Sequence, residues 1–209
     1  TEILVNTRDI TSQGQGALAT VIRITGTGYR FSISAPRCAI QNLDISSIDT
    51  ADQQNIIWLN ASDIAVRNNR IHGLFVVGNS QVSRAMVVSG GHSGLQISDN
   101  EIYGLRQPAY VTGTTTGTVS NNHVYRTKGW VLDGGNLTLT GNTWGFGPDA
   151  NAYDIAILAS VPSIYYTDIL ALAAANNSAV IEDQRVSPPV LSVVHVDASA
   201  APPGEGSPL

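Results

Sequence analysis

The chain has 209 residues, of which 43% are apolar and only 13% charged, and its formal net charge is −5. A chain of this length can bury a substantial core in one domain, and Ile, Val and Leu recur throughout it, which argues against disorder. The acidic balance and the lack of a Lys/Arg cluster argue against a nucleic-acid partner. No apolar run reaches the roughly 18 residues that a membrane span needs, so membrane insertion is not expected.

Five segments share one eight-residue pattern. Apolar or glycine residues occupy positions one and three, small or polar residues occupy positions two and four, and a polar pair precedes a final apolar residue. The alternation predicts a strand with one buried face. The polar pair predicts a tight corner into a second strand, because Asn, Asp and Gly tolerate the left-handed conformation. The segments are CAIQNLDI (38–45), IAVRNNRI (64–71), LQISDNEI (95–102), GTVSNNHV (117–124) and LTLTGNTW (137–144).

A further predicted strand precedes four of these segments, so each repeat contains three strands and a loop. Successive corner asparagines lie 31, 22 and 20 residues apart, which is expected if only the loop changes in length. This pattern predicts a parallel solenoid whose coils stack about 4.8 Å apart. The additional strands are IIWLN (56–60), MVVSG (86–90), AYVTG (109–113) and WVLDG (130–134).

An asparagine recurs at the corner of four coils. Stacking would place these side chains in one column, where each amide can donate to the next coil and satisfy the backbone of the corner. We therefore predict a structural ladder rather than a chemical role for them. In the first segment Leu43 takes this position and Asn42 lies one residue earlier. The predicted ladder consists of Asn69, Asn100, Asn122 and Asn142.

The two ends of the chain have a different character. DILALAAAN (168–176) is rich in helix formers, and Thr167 or Asp168 can cap it, so we predict a capping helix near 167–176 that covers the open end of the coils. The predicted domain spans 1–186. The remaining residues, 187–209, form a Pro/Gly-rich tail or linker with one strand, LSVVHVD, which can lead to a further module of a tandem protein. An alternative is that the tail strand of one subunit completes the open end of another.

Three coils also carry a family resemblance. The stretches NNRIHGL, DNEIYGL and NNHVYRT resemble the parallel β-helix repeats of pectate-lyase-like proteins, over roughly residues 20–160. The resemblance implies an all-β fold, a right-handed parallel β-helix of about six to seven coils with a short C-terminal capping helix. It says little about function, because this fold carries lyases, hydrolases, epimerases, tailspikes, adhesins and structural proteins.

Outward positions of the third strand form two predicted columns. Asp44 and Thr143 lie at the ends of one column, and Ser46 and Gly145 at the ends of the other. Stacked aromatic, charged and amide groups suit sugar binding, while the alternative is ordinary cross-strand stacking on a solvated face. The predicted carbohydrate-binding residues are Arg70, His72, Glu101, Tyr103, His123 and Tyr125.

Enzymes of the pectate-lyase-like superfamily depend on particular catalytic and metal-binding side chains. Pectate-lyase-like catalysis needs a carboxylate cluster for Ca²⁺ and an arginine base, but IIWLNAS has Asn60 and Ala61 where the similar family stretch has Asp and His. Calcium prefers six to eight oxygen ligands. The sequence shows no tight acidic cluster, so we predict no cofactor or metal, with Ca²⁺ as the one ion left open.

Hydrolases of this superfamily also depend on particular catalytic groups. Polygalacturonase-like enzymes use an Asp trio and a Gly-His-Gly motif, and GGHSG offers His92 without paired aspartates. Asp99 and Glu101 are the nearest pair of carboxylates, although a glycosidase needs them on opposite sides of the scissile bond. If the chain is an enzyme, the predicted catalytic residues are Arg70, Glu101 and His123.

The sequence supports two functions of different classes. The first is a non-catalytic extracellular or cell-surface module that acts as a structural, fibre-forming or adhesive element and can bind polysaccharide. Its expected partners are copies of itself or neighbouring modules of a longer chain, in addition to polysaccharide. The second is a polysaccharide lyase, hydrolase or epimerase, or a phage tailspike depolymerase fragment, acting on an acidic glycan. Few charges, short coils and the lack of an acidic cluster favour the first.

Overall fold

Short strands make up about half of the residues that the structure describes. The computed structural model describes residues 2–16, 19–26, 30–47, 55–74, 83–145, 153–185 and 190–191. The first half contains β1 (Glu2–Val5), β2 (Thr11–Gln13), β3 (Val21–Ile24), β4 (Arg30–Ile33), β5 (Ala39–Gln41), β6 (Asp44–Ser47), β7 (Asn55–Leu59), β8 (Ala65–Arg67) and β9 (Arg70–His72). The second half contains β10 (Arg84–Val88), β11 (Leu95–Ser98), β12 (Glu101–Tyr103), β13 (Ala109–Ser120), β14 (His123–Tyr125), β15 (Trp130–Thr140), β16 (Thr143–Trp144), β17 (Ile155–Ile157), α1 (Ile169–Ala175), β18 (Ile181–Asp183) and β19 (Val190–Leu191).

The strands stack into three parallel sheets, one for each strand position of a coil. The first sheet runs β1, β4, β7, β10, β13, β15, β17 and β18, and β19 is antiparallel to β18 at its end. The second sheet runs β2, β5, β8 and β11 to the later halves of β13 and β15. The third sheet runs β3, β6, β9, β12, β14 and β16. In the described ranges six coils have all three strands, which confirms the predicted parallel β-helix.

The corner between the first and second sheets changes along the solenoid. The sequence predicted separate strands throughout, but β13 and β15 each continue around this corner as one strand. Gly113 and Gly134 lie at the bend with φ of 69° and 120°, and the strand register shifts between Gly113 and Thr116. Glycine adopts these angles without a Cβ clash, so the chain bends here without leaving the sheet.

The core fills the space between the three sheets. The third residue of each repeat segment is at most 3% exposed, and the final aliphatics of the first four segments are fully buried, which confirms the predicted inward face. Each such side chain contributes about 1.5–3 kcal/mol through burial. Trp144, the final residue of the fifth segment, is only partly buried, and its indole N–H donates to the Asn176 carbonyl at 2.7 Å.

The predicted asparagine ladder runs through the coils. The Nδ2 of Asn69 donates to the Oδ1 of Asn100 at 3.1 Å, and the same bond joins Asn100 to Asn122 and Asn122 to Asn142 at 2.9 Å. Each Nδ2 also donates to a strand carbonyl, and each Oδ1 accepts a backbone N–H. The backbone N–H of Leu43 donates to Asn69, so the ladder begins on a residue without an amide side chain.

The residue before each rung makes the predicted left-handed corner. Its φ lies between 55° and 67° in all five segments, a range that non-glycine residues other than Asn and Asp rarely adopt. The two residues of the polar pair therefore have different roles: the first bends the chain, and the second supplies the ladder amide. These corner residues are Asn42, Asn68, Asp99, Asn121 and Gly141.

Helix α1 forms within the predicted stretch 167–176, and the residue after it closes one end of the ladder. Asp168 caps it by accepting the Ala171 N–H at 2.8 Å, and the helix ends at Asn176. Asn176 is fully buried, accepts the Nδ2 of Asn142 at 2.7 Å and donates to the Leu139 carbonyl. It is a fifth rung that the sequence analysis missed, because it comes from the helix and not from a coil. Of the predicted tail strand, LSVVHVD, only Leu191 lies within the described residues.

Candidate functional site

Two outward columns on the third sheet contain every predicted carbohydrate-binding residue. Strand register places Arg70 between Asp44 and Glu101, and His123 between Glu101 and Thr143. The same register stacks four residues of the second column. We call the six residues Arg70, His72, Glu101, Tyr103, His123 and Tyr125 the third-sheet strip.

Charges alternate along the first column and bind one another. The Nε of Arg70 donates to Oε2 of Glu101 at 2.8 Å, and its guanidinium lies 3.8 Å from Oδ2 of Asp44. Burial raises the pKa of Glu101, but hydrogen bonds from Arg70 and Tyr125 outweigh it and hold the pKa below its ordinary value. The hydrogen bond to Glu101 correspondingly raises the pKa of Arg70. Glu101 is therefore a fixed anion at neutral pH.

The second column is a stack of aromatic rings. His72 and Tyr103 lie 4.9 Å apart at 7°, and Tyr103 and Tyr125 lie 4.7 Å apart at 6°. Two further bonds tie the columns together, because Nε2 of His72 contacts Asp44 at 2.9 Å and the Tyr125 hydroxyl donates to Oε1 of Glu101 at 2.9 Å. Burial and this bond to Glu101 raise the pKa of Tyr125.

This arrangement suits binding better than acid–base chemistry. A glycoside hydrolase needs a protonated carboxyl group and a second carboxylate facing it across the substrate. Here Arg70 lies between Asp44 and Glu101, and both oxygens of Glu101 accept hydrogen bonds. His123 is exposed, and its Nδ1 is 2.8 Å from the Thr143 hydroxyl. The strip thus presents ring edges and hydrogen-bonding groups in a fixed arrangement.

The other enzyme candidates lie apart from the strip. Nε2 of His92 is 3.2 Å from Oδ1 of Asn60, and the same oxygen accepts a hydrogen bond from the Ser89 hydroxyl. The described contacts of His92 therefore include an amide and no carboxylate. Asp99 contacts Asn121 at the ladder corner, whereas Glu101 binds Arg70 within the strip, so the two carboxylates do not face one site. In the described residues, no group of three or more His, Cys, Asp and Glu side chains could hold a metal ion.

Two cation–aromatic pairs on the first sheet were missed by the sequence analysis. The Arg30 guanidinium lies 4.3 Å from the centroid of Trp58, and that of Arg84 lies 5.3 Å from the centroid of Tyr110. Strand register places Ser32 opposite Trp58 and Val87 opposite Tyr110, so both pairs are diagonal and register alone does not reveal them. These pairs occupy a face of each ring, which leaves the third-sheet strip as the better candidate site.

The comparison with known proteins agrees with this architecture. Residues 20–146 match the family model described as a right handed beta helix region, and this match covers well over half of the chain. The chain belongs to the right-handed β-helix family. No curated protein and no solved structure gives a significant match. Within this β-helix, no described helix has the length and apolar character needed to cross a membrane.

Proposed function

We propose that this β-helix is a non-catalytic module of an extracellular or cell-surface protein and that it binds polysaccharide along the third-sheet strip. The observation that supports the proposal is the rigid register of Arg70, Glu101 and the aromatic column over three to four coils. An extended row of ring edges and fixed polar groups matches a chain of sugar units. Pairing of the carboxylates argues against the lyase, hydrolase or epimerase alternative.

Binding without turnover is the expected result. We expect at least one soluble polysaccharide to bind in isothermal titration calorimetry, without new reducing ends or unsaturated products. Replacing Arg70 and His123 together with Ala should weaken binding about tenfold, because the strip loses the half-buried guanidinium of Arg70 and the exposed imidazole of His123. The matched control replaces Thr118 and Thr138 with Ala on the second sheet, where two exposed hydroxyls are removed. Turnover that Glu101→Gln abolishes would instead assign the enzymatic function.

A second function, end-to-end assembly, is favoured by the first coil. Strands β1, β2 and β3 pair on one side only within the described residues, and four apolar side chains of this coil are 40–57% exposed. Unpaired edges with exposed apolar groups favour pairing with another coil, from a second copy or from a neighbouring module. The exposed residues are Ile3, Leu4, Ile10 and Val21.

A charge placed on this edge should prevent the assembly. We expect the sedimentation coefficient of the chain to rise with concentration, and Val21→Lys to abolish the rise because it places a charge in the contact. Leu74→Lys is the matched control, because Leu74 is 55% exposed, like Val21 at 57%, and lies outside the first coil. A wild-type chain that stays monomeric at every concentration would contradict the assembly.

A further inference from the structure

The aromatic column of the third sheet ends at Tyr125. Tyr103 has a ring on each side, since His72 and Tyr125 stack on it at 4.9 and 4.7 Å. Tyr125 has a parallel ring neighbour on only one side, and His123 lies beside it at 5.1 Å, tilted by 42°. No other ring or guanidinium in the described part of the chain stacks on Tyr125. Its second face is thus the end of the column.

Glycine follows Tyr125 in the next coil. The Gly145 N–H donates to the Val124 carbonyl at 2.9 Å, so residue 145 continues the register of the third sheet above Tyr125. A Cβ at position 145 would lie 2.5 Å from the Tyr125 Cβ and 3.1 Å from its Cγ. Any side chain there would press on the ring. Glycine is therefore the residue that keeps this ring face clear of a side chain from position 145.

Polar groups lie beside this ring. The exposed side chains of His123 and Thr143 belong to the neighbouring column and are joined at 2.8 Å between Nδ1 and Oγ1. Their remaining hydrogen-bonding capacity points to a ligand that presents hydroxyl groups next to an apolar face. We call Tyr125, His123, Thr143 and Gly145 the Tyr125 platform.

The charge around the Tyr125 platform selects against anions. Glu101 accepts the Tyr125 hydroxyl and is held ionised, Asp44 adds a second carboxylate, and Arg70 is the one cation paired with both. These two carboxylates and one guanidinium together carry a formal charge of −1. A uronate or sulfated sugar would bring a further negative charge close to Glu101, which costs free energy.

We propose that the Tyr125 platform is a subsite for one uncharged pyranose ring, which stacks on the face of Tyr125 that no described ring covers, while His123 and Thr143 bind its hydroxyls. This inference rests on the proposed polysaccharide binding and makes it specific. A pyranose has an apolar face of C–H groups and a rim of hydroxyls, and an aromatic face with polar groups beside it complements both. The ligand class is a neutral glycan, in contrast to the acidic glycans expected for the enzymatic alternative.

The test compares two families of probes by isothermal titration calorimetry. Neutral hexasaccharides of glucose, mannose and galactose are measured beside acidic hexasaccharides of galacturonate and mannuronate, with the full chain. We expect a neutral hexasaccharide to bind most tightly. Tyr125→Leu should weaken that binding about tenfold, because the ring face is lost, whereas Tyr125→Phe keeps the face and should bind as the wild type does. Gly145→Ala should also weaken it, because the added methyl group presses on the ring.

The matched control is Tyr110→Leu on the first sheet, where the tyrosine hydroxyl likewise donates to a carboxylate, that of Asp133, at 2.6 Å. Melting temperatures of all variants exclude unfolding as the cause of a change. If a hexasaccharide binds and Tyr125→Leu has no effect, or Tyr110→Leu has the same effect, the Tyr125 platform is overturned while polysaccharide binding stands. Tighter binding of an acidic hexasaccharide overturns the neutral class. A wild-type chain that binds neither these probes nor any polysaccharide overturns both proposals.

Discussion

Replacing Asn122 with Ala should lower the free energy of unfolding by about 4 kcal/mol. The side chain is fully buried in the middle of the ladder, where its Oδ1 accepts two hydrogen bonds from Asn100 and its Nδ2 donates to the Ile97 carbonyl and to Asn142. Alanine would leave the Asn100 backbone N–H and the Ile97 carbonyl without these partners in a site closed to water. Each buried polar group that loses its partner costs about 1–3 kcal/mol. Urea denaturation followed by circular dichroism measures the change.

The neighbouring asparagine provides the control. Asn121 is exposed and has a φ of 57°, and its side chain makes one long contact, to Asp99, among the described residues. Asn121→Gly therefore removes an amide without removing a rung. We expect a change within about 0.5 kcal/mol, because glycine adopts the same φ easily. Equal effects of the two substitutions would show that the ladder amides contribute no special stability.

The residue pair at each coil corner, a left-handed residue followed by a buried amide, explains why so much of the fold was predictable from the sequence. Few residue types both adopt the left-handed conformation and supply a buried amide one residue later. The pairs Asn68–Asn69 and Asn121–Asn122 therefore identify their coils even though the loops differ in length. Once the corner residues of successive coils are aligned, counting residues from each corner gives the residues that stack on one another. The role of Asn176 as a ladder rung was not predictable in this way, because Asn176 follows α1 and the local sequence indicates only a helix there.

The composition of the third-sheet strip was predictable, but its interactions were not. Register alone places Arg70 between Asp44 and Glu101, and Tyr103 between His72 and Tyr125. Whether Arg70 binds one carboxylate or both, and which ring faces remain free, depends on side-chain rotamers that no strand pattern determines. The covered faces of Tyr103 leave its edge for a ligand, so Tyr125 becomes the informative residue of the column.

Arg185 is expected to be the most sensitive residue of the C-terminal cap. Its guanidinium donates twice to Asp183, at 2.9 and 2.7 Å, and also to the backbone carbonyls of Tyr165 and Tyr166. Both side chains of the pair are at most 12% exposed. Arg185→Ala should lower the free energy of unfolding by about 3 kcal/mol, because a buried carboxylate loses its partner and the turn at 162–166 loses its attachment to β18. Urea denaturation checks the value, with Arg67→Ala as an exposed arginine control.

The pH dependence of the same pair separates charge from packing. The hydrogen bonds from Arg185 lower the pKa of Asp183 below its ordinary 3.8, so the folded state binds this proton less readily than the unfolded state does. The stabilisation is therefore complete above the ordinary carboxyl pKa and is lost as the pH falls through the lowered value. Measured from pH 7 down to about pH 2, the wild type and Arg185→Ala should differ most at neutral pH, and the difference should begin to decrease as the pH falls below about 4. A constant difference across this range would mean that Arg185 acts by packing alone, and the ion pair would then contribute nothing to holding the cap on the coils.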